Sequence, residues 1–252
     1  MSNEKKNLTE LVMILDRSGS MSGLETDTIG GYNGMLEKQR AGEGDVLVTT
    51  VLFDDRTEVL HDRVPIAQVR PITANEYYVR GCTALLDALG GTIDRIATIH
   101  KYAREEDRPD KTIFIITTDG YENASRQYDY AAVKRLVEQK KEADHWEFLF
   151  LGANIDAVAA AGNIGIRADR AVNYHADSVG TAKNFAVLER AVSAVRAAPC
   201  ASGQMLQDDW ADEIREDYAG RGAGARGGHN SGSRNGRSAG GRGLFGKKSR
   251  KS

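Results

Sequence analysis

The chain of 252 residues is poor in several things, and each scarcity excludes something. Two cysteines, Cys82 and Cys200, are too few to frame a disulfide-stapled secreted module. There is no Cys-x-x-Cys pair and no His/Cys cluster, which excludes a structural zinc site. Long hydrophobic runs are missing too. After the polar start MSNEKKNLTE, the first apolar run, residues 11–15, is too short for a signal-peptide core or a membrane span. The expectation is a soluble, cytoplasmic protein with no membrane span. Acidic residues are absent from 218–252, where Arg221, Arg226, Arg234, Arg237, Arg242, Lys247, Lys248, Arg250 and Lys251 make nine positive charges. Taking these nine from the 34 basic residues leaves 25 against all 36 acidic ones in residues 1–217, a net of −11 behind the overall −2. This is an acidic body with a basic tail, and it excludes a uniformly basic nucleic-acid-binding fold.

What is present has a regular order. Apolar runs at 11–15, 46–53, 113–116 and 148–151 have the length and continuity of strands buried on both faces, as in a parallel sheet covered by helices. Between them, Ile29, Tyr32 and Leu36 step by three and four, as do Leu86, Leu89, Ile93 and Ile96, and later Phe185, Leu188, Val192 and Val195. Each set makes one face of a helix. Only Asp54 and Asp55 separate 46–53 from the extended stretch 57–64, and a parallel crossover needs a dozen residues or more, so this pair must be an antiparallel hairpin. A sixth strand is expected at 171–174. The four prolines, Pro65, Pro71, Pro109 and Pro199, fall between these segments, and Pro199 marks the expected end of the body. The fold class is therefore α/β: a doubly wound, Rossmann-like, mostly parallel six-stranded sheet with one antiparallel edge strand and helices on both faces. Residues 219–252, with 11 of the 27 glycines and only Leu244 and Phe245 as large apolar anchors, bury too little to offset the entropy of ordering. They are expected to be disordered.

In such a sheet, ligands bind beyond the carboxyl ends of the strands, where strand order reverses. Asp16-Arg17-Ser18-Gly19-Ser20 follows the first run, Thr117-Thr118-Asp119-Gly120 follows the third, and Gly81-Cys82-Thr83-Ala84 precedes the middle helix. Together they offer only oxygen donors, a set suited to hard cations such as Mg²⁺ or Mn²⁺ rather than zinc. Asp16-x-Ser18-x-Ser20, Thr83 within Gly-x-Thr-Ala-Leu, and Asp119 within Thr-Thr-Asp-Gly resemble the von Willebrand factor type A domain with its metal-ion-dependent adhesion site complete. The resemblance covers residues 8–197. It leaves 1–7 as a polar lead-in, 198–217 as an acidic linker and 218–252 as the basic tail.

The resemblance implies that Ser18, Ser20 and Thr83 bind the metal through hydroxyls and that Asp16 and Asp119 act directly or through water. It also implies that an Asp or Glu of a protein partner completes the coordination, so that the metal serves recognition. Glu122 and Asn123 follow Asp119 closely and are read as groups supporting the ligands, with surface solvation as the alternative. Arg17 is expected to face solvent or a partner, and Cys82 to be a half-buried thiol packing its loop, with a redox switch or a metal ligand as the alternative. Tyr77 and Tyr78 are expected to pack locally, with shaping the metal rim as the alternative. Catalytic motifs are absent: there is no GxSxG elbow, HExxH helix or Walker loop, and the five histidines are scattered. Aspartyl-phosphate chemistry would want a second Asp where Ser18 stands, so a metal-dependent phosphohydrolase is a distant third reading. The second is a nucleic-acid- or ribonucleoprotein-associated factor, in which the nine tail cations contact RNA or another polyanion. There, only His229 and Phe245 offer stacking faces.

Overall fold

The computed structural model describes residues 7–199 and 205–226. β1 (Leu8–Asp16) forms the spine, with every residue but the first buried. Because successive side chains point to opposite faces, Leu11, Met13 and Leu15 enter one core while Val12 and Ile14 enter the other. β1 pairs in parallel with β2 (Asp45–Phe53) on one side and with β4 (Lys111–Thr118) on the other. β3 (Thr57–Pro65) is the antiparallel edge, and β5 (Glu147–Ala153) and β6 (Ala171–Tyr174) extend the far side. The strand order is β3-β2-β1-β4-β5-β6, so the order reverses at β1, and the crevice between the ends of β1 and β4 is the switch point.

Helices α1 (Glu25–Arg40) and α5 (Ser178–Ala197) cover one face. Helices α2 (Leu85–Tyr102), α3 (Tyr130–Asp144) and α4 (Ala157–Asn163) cover the other. The three helical stripes of the sequence correspond to α1, α2 and α5. α3 and α4 carry shorter stripes, and Asp129 and Asp156 cap them by accepting from Ala132 N at 2.8 Å and Ala159 N at 3.0 Å. α1 accepts the helix-weakening Gly31 because the Phe185 ring of α5 lies where a side chain would start: a Cβ there would sit 2.1 Å from Cδ2.

Residues 205–226, expected as an acidic linker and the start of the tail, instead pack on the body. Leu206, Ala211 and Ile214 are buried in the same core as α1 and α5, and α6 (Asp212–Arg226) packs beside α5 and β6 as the third helix of that layer. The physical reason is economy: a few apolar residues suffice when the rest of the helix is held by ion pairs. Arg190 meets Glu213 at 2.8 Å, Lys183 meets Asp217 at 3.0 Å, and Arg221 bonds Asp177, the N-cap of α5, at 2.5 Å. No helix among the described residues is long and apolar enough to cross a membrane.

Candidate metal centre

Three loops meet at the switch point. Asp16 closes β1, and its carboxylate is held by the protein on both oxygens: Ser18 N donates to Oδ1 at 2.7 Å and Thr118 Oγ1 donates to Oδ2 at 2.6 Å. Its backbone carbonyl accepts the Tyr77 hydroxyl at 2.6 Å. Ser18 Oγ and Ser20 Oγ are 3.0 Å apart, and Ser20 Oγ donates to Asp119 Oδ1 at 2.5 Å. A Cβ placed on Gly120 would lie 3.3 Å from both Ser20 Oγ and Thr83 Oγ1, so these two hydroxyls converge on one point from different loops. All five expected ligand residues thus meet, at the expected end of the sheet.

The electrostatics of this group ask for a cation. Burial pushes the Asp16 carboxyl up to about 6 despite its hydrogen bonds from Thr118 and Ser18, and Asp119 nearby adds repulsion. Burial raises Asp119 as well, against the Ser20 hydrogen bond. Asp119 Oδ2 is buried with no hydrogen-bond partner in the protein. Leaving such an oxygen unpaired costs about 1–3 kcal/mol or more for a charged group. Two carboxylates and three hydroxyls, one carboxylate oxygen of them orphaned, fit a hard divalent cation. Among the described residues no three His, Cys, Asp or Glu side chains gather to hold a metal, here or elsewhere, and this cluster has two carboxylates with three hydroxyls.

Glu122 and Asn123 stand behind these groups. Asn123 Oδ1 accepts from Thr83 N at 2.9 Å while Asn123 N donates to Thr83 O at 3.0 Å, which clamps the Thr83 backbone. Glu122 accepts from Leu86 N at 2.9 Å and from Ser125 Oγ at 2.7 Å, capping α2 from a neighbouring loop. α2 has no capping side chain of its own, so this borrowed cap fixes where Thr83 is presented.

Arg17 differs from its expected place. It is fully buried rather than solvent-facing, with Nε donating to Asp54 Oδ2 at 2.9 Å and Nη2 to Glu58 Oε2 at 2.7 Å. Asp54 is also bonded by Arg80 at 2.7 Å, and its carbonyl accepts from Ala84 N at 2.7 Å. Burial alone would raise the Asp54 carboxyl, but its hydrogen bonds, led by that of Arg80, hold it below the ordinary carboxylate range. Asp54 therefore ties the Asp16 loop to the Thr83 loop, a role that its place in a hairpin turn does not suggest. Thr118, which anchors Asp16, stands inside the Thr-Thr-Asp-Gly string, and only its position beside Asp119 hints at that part. Cys82 is exposed and unpaired rather than half-buried. Tyr77 is buried beneath Asp16, whereas Tyr78 is partly exposed with the Arg17 and Arg80 guanidiniums over its ring.

Of the nine tail cations, Arg221 lies on α6 in ion pairs with Asp177 and Asp217, and Arg226 ends the helix. Arg234, Arg237, Arg242, Lys247, Lys248, Arg250 and Lys251, with the expected disorder of that stretch, lie outside the described residues.

Gly120 offers a direct test of the cradle. Gly120→Ala should leave the fold within about 1 kcal/mol of wild type, because the glycine is not in a left-handed conformation. It should weaken divalent-metal binding at least tenfold by filling the space between Ser20 and Thr83, as isothermal titration with Mg²⁺ would read.

No protein-family description matches the chain, and no curated protein matches it. Solved structures do. A von Willebrand factor type A protein from Catenulispora acidiphila superposes with a TM-score of 0.50 at 15% identity, covering 75% of this chain and 43% of that one. Proximal thread matrix protein 1 from the mussel byssus gives 0.50 at 14%, covering 75% and 47%. The D319A mutant of the PilB minor pilin from Streptococcus sanguinis gives 0.50 at 11%, covering 76% and 62%. The chain thus spans about half the length of these proteins. At such identities the likeness is one of fold, and the fold is the one seen in a von Willebrand factor type A protein.

Proposed function

We propose that the chain is a divalent-metal-dependent protein-binding module rather than an enzyme. In this reading Asp16, Ser18, Ser20, Thr83 and Asp119 hold Mg²⁺ or Mn²⁺, and an Asp or Glu of a protein partner completes the site. The observation that carries it is the orphaned, buried Asp119 Oδ2 beside hydroxyls brought in from two other loops. A bound cation supplies a Lewis-acidic contact for an anionic oxygen. Asp16 and Asp119 balance the charge of a divalent ion and the three hydroxyls add none, so with five protein residues a six-coordinate ion keeps a position for one further oxygen. Ser18 N and Thr118 Oγ1 occupy the oxygens of Asp16, so Asp16 acts through water or by releasing one of these bonds. No histidine stands among these residues to serve as a base, which favours recognition over catalysis. An exposed, unpaired Cys82 suits a reducing compartment, in keeping with an intracellular role.

The test is binding of a labelled pentapeptide carrying a single central Glu, with Mg²⁺ and then with EDTA, to wild type and to Ser20→Ala. Binding should need the metal and be lost in the variant. Equal binding in EDTA would refute the proposal.

Stability against pH gives an independent check. The folded Asp16 carboxyl titrates at about 6, above the unfolded value near 3.9. Between those values the folded state keeps a proton that the unfolded state has lost, so the contribution of Asp16 to stability falls as pH rises from about 4 to about 6, against the opposite trend of carboxyls such as Asp54 whose folded values are lowered. The loss in metal-free protein should reach about 3 kcal/mol at most, with Asp119 contributing in the same direction. Saturating Mg²⁺ should flatten this decline. Denaturant melts at pH 4.5 and 7, with and without metal, measure it.

A further inference from the structure

Resting on the metal-site reading above, we propose that the groove beside Thr83 reads a second acidic residue of the partner segment, with Arg126 as the reading side chain. The first Asp or Glu of that segment meets the metal. The groove measures about 840 Å³ and is lined by Gly81 and Cys82, which precede Thr83 directly. One wall is the turn between β2 and β3, at Asp55 and Arg56, and the other is the loop from Asn123 to Gln127 that leads into α3. Sites that enclose a compact ligand measure ~300–1,000 Å³, so there is room for a few residues of an extended chain.

Both walls are tied to the backbone at Thr83. Asp54 O accepts from Ala84 N at 2.7 Å, and Asp54 is joined to Arg56 by two bonds, Arg56 N to Oδ1 at 2.9 Å and Asp54 N to Arg56 O at 3.0 Å. On the opposite side Asn123 clamps Thr83 itself. Between them Gly81 takes φ +67°, its carbonyl accepts Gly19 N at 3.2 Å, and a Cβ there would lie 2.6 Å from Asp55 Oδ1. The groove and the loops that carry Ser18, Ser20 and Thr83 are therefore one rigid unit. A segment held by one is aligned on the other.

The loop wall is fixed with unusual completeness. Every backbone N–H from Ala124 to Tyr128 is taken by one of two carboxylates. Glu122 Oε1 accepts from Ala124 N at 2.9 Å and Ser125 N at 2.7 Å, and Asp87 accepts from Arg126 N and Gln127 N at 2.8 Å and from Tyr128 N at 2.9 Å. Asp87 spends both oxygens on the wall. The Arg126 backbone is thus held in place, while its exposed guanidinium makes no hydrogen bond or ion pair among the described residues. Across the groove, Arg56 meets only Asp55, at 3.9 Å, the outer limit of an ion pair. An unpartnered guanidinium on a rigid wall is a pre-placed contact for an anion that arrives from outside.

Distance and charge select that anion. Asn123 touches Thr83, and Arg126 stands three residues further on, at most about 10 Å of chain. An extended strand advances about 3.3 Å per residue and turns alternate side chains to one face. A second acid two or four residues from the first therefore reaches Arg126. A nucleic-acid strand would instead lay a phosphate against the body of 1–217, with its net −11, at every nucleotide beyond the groove. The occupant is an extended protein segment with two acids at that spacing.

The experiment uses the full chain and labelled nonapeptides of Ser and Leu, titrated by fluorescence anisotropy in saturating Mg²⁺ and in EDTA. One peptide carries a single central Glu, and the others add a second Glu two or four positions to either side. In Mg²⁺ the best two-Glu peptide should bind wild type about tenfold tighter than the single-Glu peptide. Arg126→Gln changes an exposed side chain with no partner to lose, so it should melt as wild type does and lose most of that preference. Arg126→Glu should reverse it, favouring a peptide with Lys in place of the second Glu. Saturating two-Glu peptide should also slow alkylation of Cys82 by iodoacetamide several-fold, as mass mapping would read, because the exposed thiol lines the groove. Equal binding of single- and two-Glu peptides by wild type overturns the inference, as does a preference that survives in Arg126→Gln. An alkylation rate unchanged by bound peptide overturns it too. Oligouridine bound more tightly than the two-Glu peptide overturns it in favour of a polyanion site. Calorimetric titration of Mg²⁺ alone separates the two levels. Metal binding without a second-acid preference removes only the role of Arg126, and no metal binding removes the metal-site reading with it.

Discussion

Mg²⁺ at a hundred times its dissociation constant should raise the melting temperature of the wild-type chain by about 5–10 °C, and Asp119→Ala should abolish the response. The magnitude follows from linkage: a ligand at a hundredfold its Kd stabilises by about 2.7 kcal/mol, and each kcal/mol moves a domain of this size by about 2–4 °C. The variant carries a second expectation that separates a ligand from a structural residue. Asp119 is buried, its carboxyl raised by that burial, with one oxygen unpaired. In metal-free protein it is a burden, so Asp119→Ala should melt no lower than metal-free wild type and up to a few degrees higher, as is usual where function is stored as local instability. Thermal melts of both chains in EDTA and in Mg²⁺ decide the matter. A variant that melts far lower in EDTA would make Asp119 a structural residue, and one that still responds to Mg²⁺ would move the metal elsewhere.

Arg17→Ala should be the most damaging single change near the site, costing about 3–5 kcal/mol, although Arg17 supplies nothing to the metal. The guanidinium and the Asp54 carboxylate are both fully buried at 2.9 Å. Removing one member of such a pair leaves the other charge stranded in a medium that cannot solvate it. Arg80 still meets Asp54 at 2.7 Å, which tempers the loss but does not replace Arg17, because Glu58 also loses its partner. The variant should melt about 6–20 °C lower. A double-mutant cycle with Asp54→Asn should return a coupling of about 1–3 kcal/mol, since the two charges share one network. Independent, additive effects would show that the pair is not the source of the cost.

Much of the fold, and the three loops that meet at its switch point, were legible in the sequence, for reasons that can be named. Strands buried on both faces must be continuously apolar, so residues 11–15, 113–116 and 148–151 announced β1, β4 and β5. Asp54 and Asp55 were too short a link for a crossover, which fixed the antiparallel edge. Residues that reach the switch point must follow strand ends, so the place of Asp16 and Asp119 was visible from their position.

The remaining features depended on partners remote in sequence. Arg17 looked exposed because a loop arginine usually is. Only the hairpin turn of β2 and β3, 37 residues away, brings it a buried carboxylate. The helix after Pro199 was hidden because Leu206, Ala211 and Ile214 make too sparse a stripe to stand alone. They bury apolar surface only because α5 and β6 offer a core to complete. Sequence by itself determined which segments are strands, how they alternate with helices, and which oxygens could meet a cation, since these follow from periodicity and from the chemistry of the donors. Tertiary structure alone decided that Arg17 is a buried brace, that Thr118 and Tyr77 fix Asp16, and that α6 packs on α5 and β6. Each of those is settled by which distant groups exclude water from one another, a property of the packed chain that no local stretch contains.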